Sequence, residues 1–132
     1  MKKNNKGFSL VELIIVIAIM AVLVGVLAPQ FIKYVEQSRR GKDIQNADML
    51  KEAIQGAIAD GTITGSSSSV NVSTLSASLD TVATIPQAAG NTVAVGTDYK
   101  CDYNAATGEV SVFLGTYNLT SEDGAASYKN KK

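Results

Sequence analysis

The chain has 132 residues, with twelve basic and twelve acidic side chains, one cysteine and no histidine. That length holds one small domain plus a membrane segment but no second domain; a Cys/His zinc site and an intrachain disulfide are both excluded. Balanced charge argues against general polyanion binding, although Lys2, Lys3 and Lys6 precede the first apolar run, which leaves nine basic residues against twelve acidic beyond Gly7.

The first predicted element is that run. From Leu10 to Ala28 every residue except Glu12 is apolar or glycine, long enough at about 1.5 Å per residue to cross most of a hydrocarbon core of about 30 Å. The basic start suits a secretory signal, but the run is longer than the about 7 to 15 residues expected, has no A-x-A-like site and meets Pro29 at once. A plain signal anchor is an alternative, with the lysines held in the cytoplasm; Lys33, Arg39, Arg40 and Lys42 at the other end oppose that orientation. Glu12 is the anomaly. A carboxylate costs about 2.5 to 3.5 kcal/mol at the centre of a membrane helix, and no basic residue stands one turn away. Its partner is absent from this chain, or it reaches to the interface and marks the end of the span.

The basic leader followed by "KGFSLVELIIVIAI" resembles the class III signal of type IV pilins and pseudopilins: Gly before Phe, a small hydroxyl residue, then "LVEL" opening the helix. The likeness covers residues 3 to 29 and includes Pro29. It implies cleavage between Gly7 and Phe8 by a membrane prepilin peptidase, N-methylation of Phe8, and pairing of Glu12 with the Phe8 amine of a neighbouring subunit, which would set the axial register of a filament. Apolar residues all round the helix suit lipid first and a bundle of like helices afterwards. Gly25 and Pro29 weaken it, since proline removes an intrahelical hydrogen bond; a kink is expected in one subunit, and the resemblance allows local melting in a filament.

Beyond Pro29 the pattern turns amphipathic. Ile44, Ala47, Leu50, Ile54 and Ala57 recur at steps of three and four, while Lys42, Asp43, Asp48, Lys51 and Glu52 fall largely off that line. Asp60-Gly61 is a stop signal, so the helix is expected to run from Phe8 to about Asp60, roughly 80 Å at the standard rise. Then come "GSSSSVNVS", expected as loop, and residues 70–85, left open between helix and irregular turns. "TVAV", "YKCDY" and "VSVFL" alternate with period two, and "NAATGE" reads as a hairpin loop with Gly108 free to take positive φ. Three antiparallel strands are expected over about residues 92–114. Tyr99, Cys101 and Tyr103 share one face, as do Val110, Val112 and Leu114, and these faces can cover the helix stripe.

Other features carry less. Cys101 reads as a buried apolar side chain, with an intermolecular disulfide or reactive thiol as the alternative. The resemblance departs here from Gram-negative pilins that close a C-terminal loop with a disulfide. Asp98, Asp102, Glu109, Glu122 and Asp123 match no EF-hand spacing, so calcium is possible by analogy with pseudopilins but not indicated, and no other cofactor or metal is expected. The basic cluster and the tail "YKNKK" suit solubility, subunit ion pairs or polyanions. No arrangement suggests catalysis or a small-molecule substrate.

The expected protein is therefore α+β and pilin-like: leader 1–7, membrane and assembly helix 8–29, amphipathic half 30–60, head 61–132. Its implied partners are like subunits in a helical filament, the prepilin peptidase and methyltransferase, an inner-membrane assembly platform, and the membrane before assembly; nucleic acid would bind only through the filament. The leader would be cytoplasmic and the head outside the plasma membrane, then at the cell surface. Adhesion, motility, aggregation and DNA uptake are the filament functions implied. A pseudopilin of a secretion or competence system, and an uncleaved membrane-anchored binding module, are the alternatives.

Overall fold

The computed structural model describes Gly7 and residues 9–132, so residues 1–6 and Phe8, with the leader and methylation expected there, lie outside the described residues. The fold is α+β: helix α1 (Leu10–Ala59), then strands β1 (Ser66–Asn71), β2 (Lys100–Asn104), β3 (Glu109–Leu114) and β4 (Tyr117–Asn118), and helix α2 (Glu122–Lys129). Two compact units divide between Val35 and Glu36.

In the first unit, α1 is exposed. Every large apolar side chain from Leu10 to Leu27 is at least 47% accessible. The helix is continuous through Pro29.

In the second unit, α1 supplies one wall of the core. Ala47, Leu50, Ile54 and Ala57 are buried in one cluster with Tyr99, Cys101, Val110, Val112 and Leu114, as the periodicity of both segments predicts. The helix ends in paired backbone bonds from Gly61 to the Ile58 carbonyl and from Thr62 to the Ala57 carbonyl. This double closure needs a left-handed residue, and Gly61 takes it at φ 82°.

The sheet is antiparallel in the order β1-β2-β3-β4. The β2–β3 hairpin pairs Lys100 with Phe113 through to Asn104 with Glu109, and Gly108 turns it at φ 74°. Two strand expectations are corrected. The serine stretch expected as loop is β1: it pairs Ser66 with Asn104 and Asn71 with Lys100, with an irregularity between Ser67 and Val70 where Ser69 has φ 54° and its amide donates to Asp102. Partner pairing outweighs the poor strand preference of serine. "TVAV" is not a strand, and the expected strand range over 92–114 shifts accordingly. Its neighbourhood closes on itself, with Ala88 donating to the Thr97 carbonyl, Gly96 to the Ala88 carbonyl and Thr97 to the Ala94 carbonyl. Local turns thus consume the groups a ladder would need. The undecided stretch after β1 begins as a 3-10 turn over Val72–Ser78.

Helix α2 follows Ser121, whose hydroxyl accepts from the Gly124 amide, and it buries Tyr128.

Candidate functional site

The start of α1 carries a reciprocal cap. The Ser9 amide donates to Glu12 Oε2 at 3.0 Å, and the Glu12 amide donates to Ser9 Oγ at 3.2 Å. Ser-x-x-Glu satisfies two of the orphan amide donors that every helix N-terminus presents. Glu12 also sits where its charge complements the helix dipole. It is nevertheless exposed, and its bond comes from a backbone amide rather than a cation. The carboxylate that seemed unpartnered has a local use, and its remaining acceptor capacity is open.

Around it the surface is apolar on all sides. Leu10 is 73% accessible, Val11 64% and Ile14 51%. Single exposed apolar residues are ordinary, but a patch this continuous marks an interaction surface or a membrane segment. The helix is long and apolar enough to cross a membrane by length and composition. Gly7 is exposed just before it. Further along, Pro29 has no amide hydrogen to offer the Gly25 carbonyl one turn back, so these two residues together define one missing helical bond.

The second unit holds a polar cluster that sequence reasoning missed. Asp43, assigned above to the exposed side, is fully buried, because α1 turns it toward the loop at residues 88–92. Its oxygens accept from the Ala89 and Gly90 amides, each at 2.8 Å, and from the Tyr99 and Tyr128 hydroxyls. Arg40, 9% accessible, donates to the Lys129 carbonyl at 3.0 Å, to the Lys131 carbonyl at 2.6 Å and to Asn91 Oδ1 at 2.8 Å. Its Nε pairs with Glu36 at 3.1 Å, and Glu36 also accepts from the Asn91 amide. Thr92 donates to the Tyr128 carbonyl at 2.8 Å. Two successive turns of α1, from Glu36 to Asp43, thereby hold both the loop and the C-terminal segment. The signal was available: stepping back from Ile54, Leu50 and Ala47 by four and three lands on Asp43, Arg40 and Glu36.

Comparison with known proteins bears on the first of these regions. A family model described as the prokaryotic N-terminal methylation motif matches residues 2–28. The N-terminal segment thus carries this methylation motif, and over that part the chain is similar to proteins named as type IV fimbrial subunits. It is 37% identical over 73 residues to prepilin peptidase-dependent protein A of Clostridium perfringens, an alignment covering 54% of this chain and 51% of that one. It is 34% identical over 61 residues to the type IV major fimbrial protein FimA of Dichelobacter nodosus, covering 46% and 39%, and 36% identical over 59 residues to a fimbrial protein of Pseudomonas aeruginosa, covering 45% and 38%. The chain spans about half or less of the length of these relatives. No solved structure matches it.

The remaining candidates are dispersed in the second unit. Cys101 is buried, and burial, followed by the nearby charge of Asp102, pushes its thiol up to about 11. A reactive or intermolecular thiol does not fit that setting. The acidic residues considered for calcium go separate ways: Asp98 accepts from Gln87, Asp102 from the Ser69 amide, and Glu122 and Asp123 lie in the first turn of α2. Among the described residues, no group of three His, Cys, Asp or Glu is placed to hold a metal ion. The tail is not simply a charged face, since Tyr128 is buried and the Lys129 and Lys131 carbonyls are bound by Arg40.

Proposed function

We propose that this chain is a prepilin, cut between Gly7 and Phe8 and methylated on Phe8, that polymerises through the first half of α1 into an extracellular type IV pilus-like filament. One observation carries the reading: an apolar helix surface exposed on all sides, beginning with a carboxylate whose only hydrogen-bond donor in the described chain is the Ser9 amide. Lipid covers such a surface before assembly and like helices cover it afterwards. Residues 1–7 would then be the cytoplasmic leader, 8–29 the membrane and assembly segment, 30–60 the amphipathic half, and 61–132 the head outside the membrane. Cleavage creates a cationic amine on Phe8, four residues before Glu12 in the sequence. The Phe8 amine of a neighbouring subunit meets Glu12 and sets the axial step. The missing bond between Gly25 and Pro29 is where the helix would loosen under tension.

Processing requires a prepilin peptidase and methyltransferase, and assembly requires an inner-membrane platform. The name of the Clostridium perfringens relative refers to that peptidase, and those of the Dichelobacter and Pseudomonas relatives to fimbriae. The decisive experiment is intact-mass and N-terminal analysis of protein sheared from its native cells. A pelletable chain beginning at methylated Phe8 is the expected result. A full-length chain found only in membranes would overturn the filament reading and leave a membrane-anchored module. Gly7→Val, which puts a branched side chain at the scissile bond, should abolish maturation.

A further inference from the structure

The head segregates its charge along the helix. At one end a groove of about 440 Å³ lies between the α1 turns from Met49 to Asp60 and residues 78–82. Ala53, Gly56 and Leu79 contribute to its floor, and the exposed carboxylates of Glu52, Asp60 and Asp80 stand on its rim. Gln55 donates to the Gly108 carbonyl, which brings the hairpin tip and exposed Glu109 to the same end. At the other end Arg39 and Lys42 are exposed, and the grip of Arg40 on the tail carbonyls gathers Lys129, Lys131 and Lys132 beside them. Half-buried Lys51 at the groove's level on α1, exposed Asp48 between the two ends, and Glu122 and Asp123 at the start of α2 reduce this separation without cancelling it.

These charges are not neutralised within one copy. Among the described residues the ion pair is Arg40 with Glu36. Lys42 and Glu52 are ten residues apart on α1, about 15 Å at the helical rise, beyond the roughly 8 Å over which physiological salt screens exposed charges. We infer that the basic end of one copy docks on the acidic groove of a second copy. Charge complementarity selects this occupant, and the form of the groove fits it: carboxylates on the rim meet the cationic heads, while the methylene stems of Lys and Arg cover the apolar floor. The two patches are different surfaces, so the contact is heterologous, and a head-to-tail contact that does not close generates a filament rather than a dimer. The inference rests on the filament reading and adds to it an interface in the head, separate from the Glu12 contact.

The test uses the full-length chain in its native cells. Copies carrying Lys42→Cys are co-expressed with copies carrying Asp80→Cys, and sheared polymer is examined for a disulfide-linked dimer; Cys101 is buried and contributes no background. The expected result is a cross-link when intact polymer is treated with a mild thiol oxidant, none when the polymer is dispersed in detergent before the oxidant is added, and none when Lys100→Cys replaces Lys42→Cys. In parallel, Arg39→Glu with Lys42→Glu should cut polymer yield by about tenfold or more, and adding Glu52→Lys with Asp80→Lys should restore most of it. Polymer that forms at the wild-type level after charge reversal, without the cross-link, overturns the interface and leaves the filament reading standing. A wild-type chain that never forms processed, pelletable polymer overturns both.

Discussion

Glu12 and Asp43 are carboxylates on the same helix, and their surroundings are opposite. Asp43 is fully buried and accepts from two backbone amides and two tyrosine hydroxyls, all from its own chain. Glu12 is exposed among apolar side chains and accepts from the Ser9 amide. A buried acceptor must be saturated, because each donor left without it costs about 1 to 3 kcal/mol. The first carboxylate is thus committed to folding one molecule. The second retains acceptor capacity for another.

Breaking the buried member should have the largest effect on stability. Asp43→Ala strands the Ala89 and Gly90 amides and the Tyr128 hydroxyl, while Tyr99 keeps its shorter bond to the residue 43 carbonyl, and should cost about 3 to 5 kcal/mol. Thermal denaturation of the full chain in detergent micelles should show the midpoint of the head falling by at least about 12 °C. Asp43→Asn, which retains one acceptor oxygen, should fall in between. A midpoint unchanged in both variants would show that the hydrogen bonds are not holding the loop and α2 to the helix.

Arg40→Ala should cost less, about 2 kcal/mol, since its bonds run to carbonyls and Asn91 near the surface that water can replace. Its distinguishing mark is location: amide exchange should accelerate over α2 and the residues after it, while β2 and β3 stay protected. Uniform acceleration through the sheet would count against a specific hold on the tail.

Alkaline pH tests the same cluster without substitution. Burial, reinforced by Asp43, pushes the Tyr99 and Tyr128 phenols well above their ordinary value, and burial pushes Cys101 up to about 11. All three hold their protons longer in the native state than unfolded, so the stability they contribute is complete below about pH 8.5 and is lost as pH rises. Cys101 accounts for the loss from about pH 8.5 to 11, and the tyrosines add to it from about pH 10 upward. Urea midpoints at pH 7, 9 and 11 should decline in that order, and a flat profile would refute the assignment.

What was legible in the sequence follows from what is periodic. The apolar run, the Ile44 to Ala57 stripe and the β2–β3 hairpin repeat at the spacing of their elements, and the structure keeps all three. The serines of β1 carry no such pattern, because its strand is set by pairing with β2. "TVAV" has strand-forming residues but lies where loop hydrogen bonds close locally. Helix α2 is short, and its signal is one capping serine, Ser121. Glu36, Arg40 and Asp43 continue the core stripe with charged residues, so a reading by hydrophobicity stops about two helical turns too soon. The Ser9-x-x-Glu12 cap was written in the sequence and overshadowed by the apolar run behind it.

The smallest stability change should come from Glu12, and that contrast is what sharpens the comparison. Glu12→Ala removes one exposed capping bond at the start of α1, outside the head, so the denaturation midpoint of the head should match wild type, as should leader removal and membrane insertion. If its role is intermolecular, the loss appears only in the sheared fraction, as processed subunits that stay in the membrane. Ser9→Ala separates the two uses of the carboxylate: it breaks the cap but leaves Glu12 free to meet the Phe8 amine of a neighbour. Assembly surviving in Ser9→Ala and failing in Glu12→Ala would assign the carboxylate to the contact between subunits. Equal failure in both would instead make the cap itself the requirement, with Glu12 acting by ordering the helix start rather than by pairing across it.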